Sequence, residues 1–153
     1  MQDGGFGNTK NINEIKNYLE NGGNIIVTHD QWSYALIEGC AELLGARLQT
    51  QNYIYANKAK IVNNSHPVFT SFFNLEDLNI ISISATHKTD TIYDNQEEYK
   101  KSILIELEDG KKGEYLLIKE IGKGKLIFWN AGHTCDLTEY EKKLFMNFIY
   151  WIC

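Results

Sequence analysis

Length, composition and charge limit what this chain can be. Its 153 residues, 43% hydrophobic and 23% charged, suit one globular domain and exclude a disordered or fibrous protein. The net charge is −5 and Arg47 is the only arginine, so the basic surface that binds phosphate backbones is missing. No window approaches the roughly 18 consecutive apolar residues of a membrane span. We therefore expect no nucleic-acid partner and no membrane partner. Three cysteines without a CxxC pair favour a reducing compartment such as the cytoplasm.

The first third of the chain alternates helical and extended patterns. Residues 1–10 are glycine-rich and are predicted to form a flexible N-terminal segment. A helix is predicted next, from a capping box of Asn11 and Glu14 to Gly22-Gly23. The following predicted elements are a strand, a helix and a further strand, at residues 24–27, 35–44 and 46–48. This α-β-α-β order predicts a parallel sheet covered by helices.

The rest of the chain is predicted to be mostly strands, followed by a closing helix. The pattern is weak over residues 49–65, and His66-Pro67 predicts a turn. Four strands are predicted after it, at residues 80–84, 102–107, 115–121 and 125–129. The first is expected to end at residues 85–87, before a loop over 90–99, and the second and third form a hairpin. Thr138 and Glu141 predict a second capping box. The core face of the closing helix is expected to be Leu144, Phe145, Phe148, Ile149 and Ile152.

Three stretches carry a resemblance to a known family. They are Gly22-Gly23 with the strand that runs to Thr28-His29-Asp30, then His66-Pro67-Val68-Phe69, then Gly122-Lys123-Gly124 with the strand that runs to Gly132-His133. In this order and spacing they resemble the class I glutamine-amidotransferase-like superfamily, in particular its trehalose-utilisation-protein-like branch. The resemblance covers nearly the whole chain, from about Ile12 to Ile152.

The resemblance implies a three-layer α/β/α flavodoxin-like sandwich with a mostly parallel sheet, to which this chain adds a β-hairpin. One amidotransferase-like α/β domain is expected over residues 11–153. The family begins with a strand before its first helix, and residues 1–10 show no strand pattern. The chain is therefore expected to be either a fragment of a longer protein or an abbreviated version of the domain.

The resemblance also bears on catalysis. Catalytic members carry a nucleophilic cysteine on the turn after the strand that corresponds to residues 24–27. Here the turn is Thr28-His29-Asp30, and attack on a glutamine amide needs a thiolate. Glutaminase activity is therefore not expected. The first hypothesis is a non-catalytic binding or interaction module whose partner is a protein or a small polar, sugar-like ligand.

The alternative hypothesis is a hydrolase or sugar-processing enzyme. In the implied fold His29, Asp30 and His133 lie at neighbouring strand ends, and two imidazoles with a carboxylate are ligands that suit a divalent metal such as zinc. The structural alternative is that Asp30 caps the following helix while both histidines hydrogen-bond to loops. In that case no cofactor is expected.

Other residues are candidates for ligand contacts because they lie in turns or at strand ends. They are Thr28, His66, His87, Asn130 and Cys135. Cys135 with His133 or His29 is also a candidate nucleophilic dyad. An aromatic group is either a stacking surface for a carbohydrate or peptide or part of the core, and comprises Trp32, Tyr53, Tyr55, Phe69, Phe72 and Phe73.

Overall fold

The computed structural model of the protein describes residues 9–28, 43, 46–93, 103–107, 114–131 and 136–153, with the backbone alone at 9–11, 46–55, 85–93, 103, 107 and 114. Two helices are described, α1 (Thr9–Glu20) and α2 (Glu139–Ile152). The strands are β1 (Asn24–Thr28), β2 (Ala46–Ile61), β3 (Ile80–Tyr93), β4 (Ile103–Leu107), β5 (Glu114–Ile121) and β6 (Gly124–Trp129). No helix in the described part of the chain is long and apolar enough to cross a membrane.

The six strands form one mixed sheet in the order β1-β6-β5-β4-β2-β3. Only β1 and β6 are parallel, and the other four neighbouring pairs are antiparallel. The α/β class is confirmed, but the prediction of a mostly parallel sheet is wrong. The reason is the connections: a two-residue turn joins β5 to β6, which forces them antiparallel, whereas parallel neighbours need a long crossover.

The sheet buries side chains on both faces. Ile127 and Trp129 of β6 belong to a core cluster with Leu144 and Phe148 of α2. Because side chains alternate along a strand, the buried Leu126 and Phe128 point to the opposite face. The buried residues Ile15 and Leu19 of α1 lie outside the α2 cluster, and α1 contacts β6, β1 and β5. The two helices therefore cover opposite faces of the sheet.

The strands β2 and β3 form a ribbon that is longer than predicted. β3 does not end at residues 85–87 but continues to Tyr93, so the predicted loop over 90–99 begins four residues too early. β2 crosses the region of weak pattern and pairs with β4 only over Ala59–Ile61. The ladder shifts register between Leu48 and Thr50 and on both sides of Ala56, which is typical of bulges that bend a strand pair.

Glycines fix the turn between β5 and β6. Gly122 has a φ of +62°, a conformation that disfavours other residues. A Cβ on Gly124 would lie 2.1 Å from the Gly23 carbonyl oxygen and 2.3 Å from that of Leu19, both backbone atoms. The start of β6 can therefore approach the end of α1 only as glycine. The Gly22-Gly23 and Gly122-Lys123-Gly124 motifs contact each other, and the close approach of Gly124 to the backbone of Leu19 and Gly23 requires glycine at that position.

The helix ends partly match the prediction. The capping box of Thr138 and Glu141 is confirmed at the start of α2. The capping box at Asn11 is wrong, because α1 begins at Thr9 and Asn11 lies inside the helix. On α2, Leu144 and Phe148 are buried as predicted, but Phe145 is 38% exposed.

Several predictions can be checked only in part. The hairpin is confirmed by the antiparallel pairing of β4 and β5, although its turn residues 108–113 lie outside the described residues. Most of the predicted helix over 35–44 and residues 1–8 of the predicted N-terminal segment also lie outside them.

Candidate functional site

The parallel strands β1 and β6 end at the same edge of the sheet, where Thr28 pairs with Trp129. Ligands of open α/β sheets bind outside the carboxyl ends of parallel strands, so this edge, which we call the rim, is the first candidate site. The residues predicted for metal binding and nucleophilic chemistry directly follow these strand ends. They are His29, Asp30, His133 and Cys135, and they lie outside the described residues, so their roles remain predictions.

Two predicted ligand residues of the rim are described. Thr28 is exposed at the end of β1. Asn130 is fully buried, and its backbone N–H donates to the carbonyl oxygen of Tyr115 at 2.8 Å. This bond extends the β5–β6 ladder by one residue beyond Trp129 and fixes where the chain leaves the sheet. A ligand-binding role for either residue remains a prediction.

The other two predicted ligand residues lie elsewhere. His66 contacts Trp151 near the end of α2. The start of α2 lies at the rim, because Glu141 in its first turn accepts a hydrogen bond from Tyr115, the residue opposite Asn130. His66 therefore lies at the opposite edge of the sheet. His87 lies within β3 rather than at a strand end, four strand spacings from β6, or about 19 Å across the sheet. The sheet order therefore does not bring His66 or His87 together with Thr28 and Asn130, as a shared rim would require.

His66 has a structural role in a short 3-10 helix, Pro67–Phe69. Its Nδ1 accepts a hydrogen bond from the N–H of Val68 at 3.2 Å, which caps this helix and places the proton of neutral His66 on Nε2. The ring lies edge-to-face against Trp151 with centroids 4.9 Å apart. Burial lowers the pKa of His66, and the negative charge of Glu120 acts in the opposite direction.

A fully buried carboxylate, Glu141, lies beside the rim and was not identified from the sequence. Its oxygens accept from the backbone N–H of Ser84 at 3.0 Å, the Ser84 hydroxyl at 2.7 Å, the Thr138 N–H at 2.7 Å and the Tyr115 hydroxyl. These four donors match the number of acceptor sites on a carboxylate. The capping box was visible in the sequence, but the partners on β3 and β5 depend on the tertiary fold.

The Glu141 cluster, which comprises Glu141, Ser84, Tyr115 and Thr138, joins two strands, β3 and β5, to α2. Burial, followed by the Glu141 charge, raises the pKa of the Tyr115 hydroxyl, so this group remains a hydrogen-bond donor. Thr138 Oγ1 also donates to the Ser82 carbonyl at 3.1 Å. Within the described ranges, no three or more His, Cys, Asp or Glu side chains are arranged to hold a metal ion.

A second candidate site is the exposed surface of α2. Phe72 and Tyr150 stack with ring centroids 4.1 Å apart, and about half of each side chain is exposed. Met146, one helical turn before Tyr150, is 40% exposed, and Phe145 is 38% exposed and stacks on Trp129. We call Phe72, Phe145, Met146 and Tyr150 the α2 outer surface.

A buried amide holds this surface in place. Asn147, which is fully buried, accepts from the N–H of Phe73 at 2.7 Å and donates to its carbonyl at 3.0 Å. The Ser71 hydroxyl donates to the Asn147 carbonyl at 2.7 Å. Phe73 is thereby fixed against the core, and its neighbour Phe72 is left on Tyr150. Of the predicted aromatic group, Phe69 is core and Phe72 is surface; the side chains of Trp32, Tyr53 and Tyr55 are not among those described.

The fold has known counterparts. It is similar to a ThuA-like protein from Bacteroides uniformis ATCC 8492, with a TM-score of 0.61 and 15% identity over 95% of this chain and 64% of that one. It is also similar to a cytoplasmic protein from Salmonella typhimurium, with a TM-score of 0.58 and 15% identity over 92% of this chain and 59% of that one. Similarity to a β-galactosidase from Rahnella sp. R3 has a TM-score of 0.59 and 9% identity, over 94% of this chain and 21% of that one. No family model matches the sequence, and no curated protein matches it.

These similarities concern the fold alone. They fit the resemblance to the trehalose-utilisation-protein-like branch, whereas membership of the amidotransferase-like superfamily remains a prediction. This chain spans 64% and 59% of the two shorter proteins and 21% of the β-galactosidase.

Proposed function

We propose that this chain is a non-catalytic domain of amidotransferase-like fold that acts as a binding or interaction module. The observation that carries the proposal is the α2 outer surface. The protein uses a fully buried polar residue, Asn147, to hold Phe72 on Tyr150 at the surface, where both rings remain exposed. Exposed apolar groups that are held in place in this way are typical of interaction sites.

The polar groups beside the rim support the same proposal. Glu141 is the buried carboxylate in this region, and four donors already occupy its acceptor sites. It therefore has no free oxygen site for a metal or a substrate proton. In addition, the sequence after β1 is Thr28-His29-Asp30, which lacks the thiol that amide hydrolysis by this fold requires.

The comparison with larger proteins adds a further argument. In the β-galactosidase from Rahnella sp. R3, the part similar to this chain is 21% of the whole. The fold therefore occurs as one part of a larger chain, as an interaction module does.

Activity assays on the full chain test the proposal. We expect no hydrolysis of glutamine or of aryl glycosides, with or without added zinc. Glutamine hydrolysis that is lost in Cys135→Ser would contradict it. The sugar-processing alternative requires that His29→Ala and His133→Ala each abolish both metal retention and glycoside turnover. If they do, that alternative replaces the proposed function.

A further inference from the structure

We propose that the start of α2 covers the outer edge of β3 in place of a further strand, and that this edge pairs with the β3 edge of a second copy when the cover is removed. The inference is independent of the proposed function, because it concerns a strand edge and not the α2 outer surface. It follows from the hydrogen bonds that Thr138 and Glu141 make to the backbone of β3.

β3 is an outer strand of the sheet, and part of its backbone faces away from β2. In the part of the chain that the structure describes, no strand pairs with its outer side. The Ile61 N–H donates to the Asn79 carbonyl at 2.9 Å, so this pair of residues is hydrogen-bonded. Hydrogen-bonded and non-bonded pairs alternate along an antiparallel ladder, so the pair of Lys58 and Ser82 is of the non-bonded kind. The backbone N–H and carbonyl of Ser82 therefore point to the outer side of β3.

The first turn of α2 occupies this outer side. Thr138 Oγ1 donates to the Ser82 carbonyl at 3.1 Å, and Glu141 accepts from the Ser84 N–H at 3.0 Å. The carbonyl of one residue and the N–H two residues later are the groups that one residue of a parallel neighbouring strand bonds. The Thr138 hydroxyl and the Glu141 carboxylate thus replace the N–H and carbonyl of an added strand. We call these two side chains the edge cover.

Without the edge cover, β3 has the features of a strand that pairs with other chains. It is 14 residues long, whereas β1, at the other edge of the sheet, has five residues. Ile80, which precedes the covered residues, is 53% exposed. Long outer strands with exposed apolar side chains are templates for strand addition, and proteins prevent this by covering the edge. A second copy brings the same unpaired groups, so one two-fold contact satisfies both edges.

The two ends of α2 are held by different elements. At its C-terminal end, Lys125 Nζ donates to the Trp151 carbonyl at 2.5 Å, and Asn24 Nδ2 donates to the Ile152 carbonyl at 3.1 Å. These bonds come from β6 and β1 and do not involve β3. A change at Thr138 therefore uncovers the β3 edge while the other end of α2 stays docked.

Sedimentation equilibrium of Thr138→Val in the full chain, from micromolar to millimolar concentration, tests the inference. Valine keeps the size of threonine but cannot donate to the Ser82 carbonyl. The mean mass should rise from 17.6 kDa towards twice that value. Association should be at least about tenfold stronger than in the unaltered chain. Thr138→Ser keeps the hydroxyl and should behave like the unaltered chain.

Far-ultraviolet circular dichroism checks that each variant is folded. If Thr138→Val does not fold, Thr138→Asp takes its place, because aspartate still caps the helix but has no proton to donate to Ser82. The same rise in mean mass is expected for it.

Two further variants identify the surface that associates. Ser82→Pro removes an N–H that points away from β2, a position at which an outer strand tolerates proline. Added to Thr138→Val, it should return the mean mass to 17.6 kDa. Asn24→Ala is the matched control, because it loosens the other end of α2 without uncovering β3. A folded Thr138→Val or Thr138→Asp protein that stays monomeric overturns the inference. So does association that Ser82→Pro leaves unchanged or that Asn24→Ala produces equally.

Discussion

Glu141 shows how a buried charge can be held without a cation. In the described part of the chain no lysine or arginine pairs with it, and four hydrogen-bond donors replace the water that it has lost. Hydrogen bonds to a charged acceptor are stronger than neutral ones, but each donor would be left unsatisfied if the carboxylate changed. The contribution of Glu141 should therefore appear most clearly in variants that keep its size.

We expect Glu141→Gln to lower the free energy of unfolding by about 2 kcal/mol, because the charged acceptor is lost. The amide oxygen can still accept from the N–H groups of Ser84 and Thr138, but the hydroxyls of Ser84 and Tyr115 must then accept from the amide NH₂ instead of donating. Urea denaturation measures the change. Glu139→Gln is the matched control on the same helix turn, with an exposed side chain, and should leave the free energy of unfolding nearly unchanged. Equal effects of the two substitutions would show that the buried network does not stabilise the fold.

His66 is expected to make stability depend on pH. Its folded-state pKa lies below the usual 6.5, so the unfolded chain binds the proton more tightly. The stabilisation is present above about pH 6.5 and is lost as the pH falls towards the folded-state pKa. Protonation also removes the acceptor for the Val68 N–H. The charged group that acts on His66 is Glu120, which moderates the effect.

The variant His66→Asn isolates this effect. Asparagine keeps an acceptor for the Val68 N–H and does not titrate. Urea unfolding from about pH 7.5 to about pH 5 should show that wild-type stability falls more than that of the variant. Parallel curves would exclude His66 as the source.

At the scale of elements, the glycine contacts explain why two distant motifs occur together. The turn before β6 packs against the end of α1, and a Cβ on Gly124 would overlap two backbone carbonyl oxygens. Backbone atoms cannot move aside as a side chain can. Two of the three stretches that carry the family resemblance therefore maintain a helix–strand contact.

We expect Gly124→Ala to destabilise the protein by about 3 kcal/mol, measured by thermal or urea unfolding. Gly23→Ala is the matched control, because the atoms nearest to its Cβ would belong to the ring of Tyr18, which is 56% exposed and can turn away. Its cost should be about 1 kcal/mol or less. A larger cost for Gly23→Ala than for Gly124→Ala would contradict this account.

The elements that could be predicted were those with local signals. The capping box at Thr138, the hairpin and the glycine turn each depend on residues close in sequence, and the structure confirms them. Strand direction was mispredicted because it depends on which strands pair. The start of β2 was predicted at residues 46–48, but its continuation to Ile61 was missed because residues 49–60 are rich in Asn, Gln and Lys and show no clear alternation of apolar and polar residues. The Glu141 cluster was missed because Ser84 and Tyr115 meet it only through the sheet.

At the scale of the molecule, the sheet consists of two unequally supported parts. β5 and β6 each have a neighbouring strand on both sides, and they lie between α1 on one face of the sheet and α2 on the other. Residues 46–56 of β2, in contrast, pair only with β3 within the described ranges. A two-stranded ribbon is only marginally stable by itself. Local opening should therefore start in the ribbon.

Hydrogen exchange followed by NMR tests this expectation. The amides of Leu117, Ile118 and Ile127 should exchange at least roughly a hundredfold more slowly than those of residues 46–52. Equal protection would show that the ribbon and the central strands open as one cooperative unit.

The position of Trp129 has an optical consequence. Its indole is 2% exposed, stacks on Phe145 and lies edge-to-face against Phe148, so both of its aromatic contacts belong to α2. Its fluorescence should be emitted at short wavelength and resist quenching by acrylamide. If α2 leaves the sheet, water reaches the indole and the emission shifts to the red. Because the sequence has three tryptophans, the shift is read in a variant in which Trp32 and Trp151 are replaced by phenylalanine. In that variant Trp129 reports, without any label, whether the closing helix is docked.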